Sequence, residues 1–547
     1  MTPIKTFLCI LSIFILLGLV SFLFPIEGVN IGFTTLRFPA LSEVFPTKEG
    51  APDSQRESPE DAVKRMLSET EQREFAAYAD SLAYYENFFK EGATRFDLPD
   101  DDPTWFDRFF LNLEIASLGE GVVHIIHYGD SQLEEDRISS KIREDLQELF
   151  GGAGPGMMPP ISTIPAMTVS HSSSGDMERK AIFADTSLHA KHNRYGPLAQ
   201  MAELNGGGYI SIKKRKSKSK TRASEFPHIE GFQDVRLLAG RESKNFKARL
   251  SYDATIVGED SVPKTQKFNA DAPTVEHYEK LNVYRWKLPH KASGAAIRVS
   301  GRAELYAISA DGESGVAVDN VAMRGSSGTV FHKMDGTLLK SSYEAMNVKL
   351  LILQYGGNLV PGMKAENEAW ARKIISRQIK TLQDLYPEAD IVFIGPADMC
   401  KRINGKLQSY PGLERTIRLL KEIAKEYGLA YWDMHRVMGG NESMIDWVKQ
   451  TPALGFSDYV HFTRAGAAHM GDLFSSALRM YYDYFKFREA HDLNDKKLEK
   501  IQAYSDSARQ DSGRAQEGSG LESAGQGATP EDTAGASGAT AEAPEAE

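Results

Sequence analysis

The spacing of hydrophobic positions changes character several times along this chain. Residues 6–24, "TFLCILSIFILLGLVSFLF", form an unbroken apolar or small run without charge. As a helix it spans about 28 Å, close to the hydrocarbon thickness of a bilayer. Residues 25–57 are rich in Pro, Gly and Thr and read as a spacer. From Ser58 to about Gly92 the period becomes helical, with Phe75, Tyr78, Leu82, Tyr85 and Phe89 on one face. Ser58 fits the N-cap and Pro59 the first helical position. A helix packed on its own domain accounts for this stretch.

A strand-then-helix rhythm follows. "GVVHIIHY" at 121–128 predicts a buried strand. Residues 133–150 predict a helix with Ile138, Ile142, Leu146 and Leu149 on one face. It ends at "GGAGPG", where Gly151 can take a left-handed cap and Pro155 stops the helix. From 161 to 314 helical periodicity gives way to short alternating stretches such as "ARLSYDATIV" and "AAIRVSGRAELYAIS". Gly, Pro, Asn and Asp separate them, which predicts a β-sandwich or jelly roll.

After 315 the rhythm returns. Strands are predicted at 316–323, 348–355, 389–395 and 428–434. Helices are predicted at 365–386 (Trp370, Ile374, Ile375, Ile379 and Leu382 on one face), at 411–427 and from 464 to about 487. Strands alternating with helices imply a parallel sheet covered on both faces. The unit at 121–150 needs the later ones to complete such a sheet. The expected organisation is therefore an anchor at 1–24, a spacer and helical region at 25–104, an α/β domain at 105–160 and 315–487, an inserted β-rich domain at 161–314, and a tail at 488–547.

Charge sharpens this picture. The net charge is −11, yet residues 511–547 hold eight acids and one base, leaving only −4 for the other 510 residues. The folded part is near neutral and gives no reason to expect nucleic acid as partner. The tail, with one Leu and no aromatic residue, cannot bury enough apolar surface to fold. "KKRKSKSKTR" at 213–222 carries seven bases and reads as a solvated hairpin or loop, with contact to an anionic polymer as the alternative. The two cysteines, Cys9 and Cys400, lie too far apart in character for a disulfide, and no Cys/His cluster has metal-ligand spacing, so neither metal nor cofactor is expected. Lys5 precedes the apolar run, and neither a small-residue cleavage site nor a lipobox follows it. That predicts an uncleaved signal anchor, with the N-terminus in the cytoplasm and the rest of the chain outside. A cleaved signal peptide with secretion is the alternative.

Ser131 falls where the first α/β strand ends, in "HYGDSQ". Functional groups gather at the carboxyl ends of strands in such sheets. The predicted helix behind Ser131 would aim its N-terminal N–H groups and positive dipole end at that spot. Ser131 is either a helix cap or a nucleophile on this stretch alone. A nucleophilic serine needs a base that a third group orients. Among 13 histidines, His461 in "SDYVHFT" has Asp458 three residues before it, in a loop opening the last helix. His124 and His127 belong to the strand and read as structural. Acyl transfer also needs donors for the oxyanion. Gly325 in "AMRGSSG" and Asn358 in "QYGGN" both follow predicted strands, and each also has an ordinary turn reading.

A Ser, a Gly, an Asn and a D-x-x-H at successive strand ends, in that order, resemble the SGNH (GDSL-like) hydrolase superfamily. The resemblance covers roughly 120–160 and 315–487. The longer stretch "GDSQLEEDRISSKIREDLQELFGGAGPGMMP" looks like its envelope branch with an inserted β-domain, which includes peptidoglycan and polysaccharide O-acetyl esterases and acetyltransferase-like proteins. The resemblance implies a three-layer α/β/α sheet and an insertion like a carbohydrate-binding jelly roll. It further implies Ser131 as nucleophile, His461 as general base, Asp458 as its partner, and Gly325, Asn358 and the Ser131 N–H as the oxyanion hole. Gln132 replaces the more usual leucine or histidine, and Leu359 follows "GGN" in place of aspartate, which argues against a lipase-like substrate. The resemblance would make the anchored membrane a bacterial inner membrane, with the bulk of the chain in the periplasm. The expected function is a membrane-anchored esterase removing O-acetyl groups from a cell-envelope glycan. The alternatives are an O-acetyltransferase served by a membrane-bound acyl donor, and a non-catalytic glycan-binding protein.

Overall fold

The computed structural model describes residues 78–215, 226–257 and 261–493, together with Val29–Asn30, Thr35–Leu36, Arg73 and Ala76. The chain divides into two compact units, Met1–Ala77 and Tyr78–Glu547. In the first, Val29–Asn30 and Thr35–Leu36 pair as antiparallel strands. The predicted anchor at 1–24, the Ser58 cap, most of the basic stretch and the acidic tail lie outside the described residues. Among the described residues no helix is long and apolar enough to cross a membrane.

The second unit is built on a six-stranded sheet. In chain order its strands are β1 (Phe96–Asp97), β2 (Val122–Gly129), β3 (Gly315–Ala322), β4 (Val348–Gln354), β5 (Asp390–Ile394) and β6 (Ala430–Trp432). In space they run β3-β2-β4-β5-β6-β1. All neighbours are parallel except β1, which pairs antiparallel with β6. The major helices are α1 (Asp107–Ser117), α2 (Ser139–Phe150), α3 (Gly336–Ala345), α4 (Glu368–Leu385), α5 (Leu413–Glu426) and α6 (Arg464–Ala490).

Side chains alternate across the sheet and fill two cores. Val123 and Ile125 of β2 pack with α1, α2 and α6. Ile126 and Tyr128 pack with α3, α4 and α5. The strands are apolar on both faces because both are covered. Trp370 departs from expectation: it is 59% exposed, because the buried face of α4 is set by Ala371, Ile375, Ile379 and Leu382.

Between α2 and β3 the chain leaves this sheet and, among the described residues, forms nine antiparallel strands. The longest, Leu281–Ser300, shifts register between Lys287 and Ala292. Its first half pairs with Phe232–Gly240, and its second with Lys247–Val257 and Gln200–Lys214. One core, including Leu237, Leu250, Trp286 and Ile297, lies among them.

His124 ties this excursion to the parallel sheet. The imidazole is fully buried on β2, with Nδ1 2.9 Å from Asp319 on β3 and Nε2 3.5 Å from Asp311 at the end of the strand Ala303–Asp311. Burial alone would push its pKa down, but the two carboxylates outweigh burial and hold it at about 10. Because the folded value lies above the unfolded one, the stabilisation is complete below pH about 6.5 and is lost as pH rises through about 10. Urea midpoints measured from pH 7 to 10 should therefore fall more steeply for the wild type than for His124→Asn. Equal slopes would remove the imidazolium as the source.

Candidate active site

Strands β2, β3 and β4 end side by side, with Gly129 in register with both Ala322 and Gln354. The following loops therefore open at one edge, where the strand order reverses around β2. Gly129 is required there: a Cβ would stand 2.6 Å from the Leu133 side chain and 3.1 Å from the Gln354 carbonyl. Asp130 and Ser131 come next.

The segment after Ser131 differs from the predicted helix. Ser131–Asp136 is a 3-10 turn, Glu135 and Asp136 have φ of 62° and 63°, and α2 starts only at Ser139. The α2 N-terminus is thus set back eight residues along the chain from the serine. Arg137 is the physical reason. Its guanidinium donates to the carbonyls of Ser131, Glu134 and Phe462, each at 2.9 Å. Carbonyls held this way are withdrawn from a helical ladder.

Ser131 Oγ lies 2.9 Å from His461 Nε2, and His461 Nδ1 lies 2.8 Å from Asp458 Oδ2. The other Asp458 oxygen accepts the N–H groups of Val460 (2.9 Å) and His461 (3.0 Å). Tyr459, at φ 59°, makes the tight loop that folds the carboxylate back onto the imidazole. Burial raises the Asp458 pKa, but the His461 ring and the two N–H groups outweigh it and keep the group below its usual value. Asp458 is therefore ionised at neutral pH. It fixes the proton on Nδ1 and leaves Nε2 as acceptor toward Ser131.

His124 and His127 do not join this relay. His127 is buried, bonded to Gln354 and Ser139, and desolvation pushes its pKa to about 3.

Asn358 and Gly325 stand differently. Asn358 borders the Ser131 cavity, which has a volume of 260 Å³ and is also lined by Pro361, Met399, Tyr410 and Met434. Its Nδ2 donates to Asp130 Oδ2 at 3.1 Å and to the Ser326 carbonyl at 3.0 Å. Both amide hydrogens are engaged, and an oxyanion would have to take one of them over. Gly325 has φ 73° in the loop after β3 but does not border that cavity. It connects to the site through its neighbour Ser326.

Three supporting residues escaped sequence reasoning as functional groups. Asp130 caps the Gln132 N–H at 3.0 Å and anchors Asn358. Gln132 brackets His461: its Nε2 donates to the Val460 carbonyl at 2.8 Å and its Oε1 accepts the Phe462 N–H at 3.2 Å. Arg137 is the third. Only Gln132 carried a signal, as the departure from the usual residue in its block.

Two outcomes are expected. Gln132→Leu removes both brackets while keeping similar bulk, so kcat should fall about 10–100-fold with KM little changed; an unchanged kcat would show that the loop holds itself. Asp130 is nearly fully buried, and desolvation, partly offset by the Gln132 N–H and His461, raises its pKa to about 6. The buried carboxylate thus costs stability increasingly as pH rises from about 4 to 6, and fully above that, on the order of 3 kcal/mol. Asp130→Asn should melt higher than the wild type at pH 8 but not at pH 4, while losing turnover because Asn358 loses its acceptor.

No protein-family model matches the sequence, and no curated protein matches it. Among solved structures, a peptidoglycan O-acetylesterase aligns over 68% of this chain and 95% of its own, at 17% identity and a TM-score of 0.51. A family two carbohydrate esterase from Cellvibrio japonicus covers 58% of this chain and 99% of its own, at 11% identity and a TM-score of 0.23. A carbohydrate acetylesterase from Sinorhizobium meliloti covers 30% and 78%, at 10% identity and a TM-score of 0.22. The chain therefore has the fold of the first of these, a mixed α/β fold on a parallel sheet.

Proposed function

We propose that the chain is a serine esterase of the SGNH type that removes O-acetyl groups from a bacterial cell-envelope glycan. The observation that carries this reading is the unbroken Ser131–His461–Asp458 relay, at 2.9 and 2.8 Å, opening into a 260 Å³ cavity. That volume is below the roughly 300–1,000 Å³ of sites for drug-sized ligands and suits a short acyl group. In this mechanism Ser131 Oγ attacks the ester carbonyl while His461 Nε2 takes its proton. The negative charge forms beside Asn358, with the N–H group of Ser131 as a further donor. Collapse of the tetrahedral species breaks the ester bond, and His461 returns the proton to the departing sugar oxygen. Water, activated by the same imidazole, then releases acetate.

Hydrolysis is preferred over transfer to a second sugar because the relay is open to solvent: the His461 and Asp458 side chains are 36% and 48% exposed. A transferase must keep water from its acyl-enzyme. In this proposal residues 6–24 anchor the chain in the inner membrane, the β-rich segment 161–314 is an inserted domain of the envelope branch, and the glycan lies in the periplasm.

Ser131→Ala and His461→Ala should each lower acetate release from O-acetylated glycan by roughly 10⁴–10⁶-fold without changing the melting temperature. Wild-type turnover in Ser131→Ala would end the nucleophile assignment. Acetyl transfer to added glycan exceeding acetate release would move the reading to the transferase, and glycan binding with no turnover by the wild type would move it to a binding protein.

A further inference from the structure

The loops around Ser131 also wall a second, larger cavity of 560 Å³. One side comes from the parallel-sheet unit: Glu134 and Asp136, three and five residues after the serine, and Arg324 beside Gly325. The other comes from the β-rich segment: His171 and Arg179 on the strand Val169–Ala181, with Phe183 and Gln200.

The charges in this wall are mostly matched. Glu134 pairs with Arg324, Asp136 with Arg143, and Glu135 with Arg464. Asp185 sits exposed and caps the Ser187 N–H. Asp185 has no ion pair among the described residues, but it is exposed; Arg179 is the partly buried group without one. Its Nε donates to Gln200 at 2.8 Å. Among the described residues no carboxylate lies within 4 Å of its guanidinium, and its two terminal nitrogens have no hydrogen-bond partner. Burial without a neighbouring acid lowers its pKa from the ordinary value, so the cation is partly desolvated without a counter-ion. Its Cζ stands 5.7 Å from the centre of the Phe183 ring. His171, on the same strand, is a second unsatisfied group: desolvation pushes its pKa to about 4, and its buried Nε2 has no partner. Leaving such an atom unpaired costs about 1–3 kcal/mol.

We propose that this cavity is a subsite for a carboxylate-bearing sugar of the substrate, its carboxylate seated on the free edge of Arg179 and its ring against Phe183. A planar guanidinium whose two terminal nitrogens are open matches a carboxylate in a forked pair. One unmatched cation balances a single negative charge, whereas a phosphate dianion would face surplus repulsion from Asp185 and the paired acids. His171 Nε2 offers a partner for a neighbouring polar group. Since Glu134 and Arg324 belong to the loops that carry Ser131 and Gly325, a sugar held here would place an adjacent residue of the same polymer at the nucleophile. This inference rests on the esterase reading and names its substrate class. Two sources fit the chemistry: a lactyl-ether amino sugar, as in peptidoglycan strands, and a uronic acid in an acidic polysaccharide.

The test compares the full chain with Arg179→Ala on four substrates: 4-nitrophenyl acetate, acetylated xylan, O-acetylated peptidoglycan strands freed of peptide, and an O-acetylated polyuronate. The two uncharged substrates should be hydrolysed within about twofold of wild type, since they need only the Ser131 cavity. On one acidic polymer kcat/KM should drop about tenfold or more, mainly through KM, and the responding polymer identifies the source. Methyl esterification of its carboxylates should reproduce the loss in the wild type and add nothing in the variant. Equal effects on charged and uncharged glycans, or none on either, would overturn the subsite. Affinity electrophoresis in the Ser131→Ala background separates the two readings. Arg179-dependent binding of an acidic glycan in that background, together with no ester hydrolysis by the wild type, leaves the subsite standing and removes the esterase.

Discussion

Gln132 and Arg137 hold together two parts of the chain that lie about 330 residues apart. Arg137 gives hydrogen bonds to carbonyls on both the serine turn and the histidine loop, and Gln132 grips the main chain on either side of His461. Bonds from a charged donor are worth about 1.5–3 kcal/mol each when buried. They act on backbone, so they fix where the loop runs and leave the imidazole free to exchange protons. A relay of two hydrogen bonds could not set that distance by itself, because His461 and Asp458 are partly exposed and solvent weakens their pairing. The sheet brings three strand ends together, and these two side chains bring in the fourth element, which belongs to no strand.

The parts legible in the sequence were those with short-range causes. The strand at 122–129, the four later strands with three of their helices, and the switch to antiparallel strands follow from hydrophobic period. Asp458 and His461 are three residues apart, so their loop announces its geometry. Ser131 could be matched to them only through the order of blocks along the chain. The 3-10 turn was not legible, because "SQLEEDRI" satisfies helical spacing and the break comes from Arg137 reaching a carbonyl 325 residues away. The engagement of Asn358 by Asp130 and Ser326 was hidden for the same reason. Helix α3 and the two-residue edge strand β1 were missed because their patterns are too short to stand out. Trp370 was assigned to the buried face on hydrophobicity alone, although the face is set by which positions meet the sheet.

Several ionisable groups are buried here where apolar ones would cost less. The His124 pair with Asp319 and Asp311 joins β2, β3 and the end of the antiparallel excursion at one point. Such groups add little net stability, but breaking one partner leaves an uncompensated charge. Asp130 shows the same logic at the site: its carboxylate is held against desolvation because Asn358 needs an acceptor.

The order of elements also has a temporal meaning. The serine turn is among the first parts of the parallel sheet to be made, and its base belongs to the loop opening the last described helix. Between them β2 must wait for β3 while the whole antiparallel excursion is synthesised and closed off. Contacts so distant form late, because loop-closure entropy precedes any reward. On the proposed esterase reading, a nascent or truncated chain therefore carries the nucleophile without its proton acceptor and is chemically silent. The covalent order of the polypeptide acts as a built-in delay, and reactivity begins only when the far end has docked.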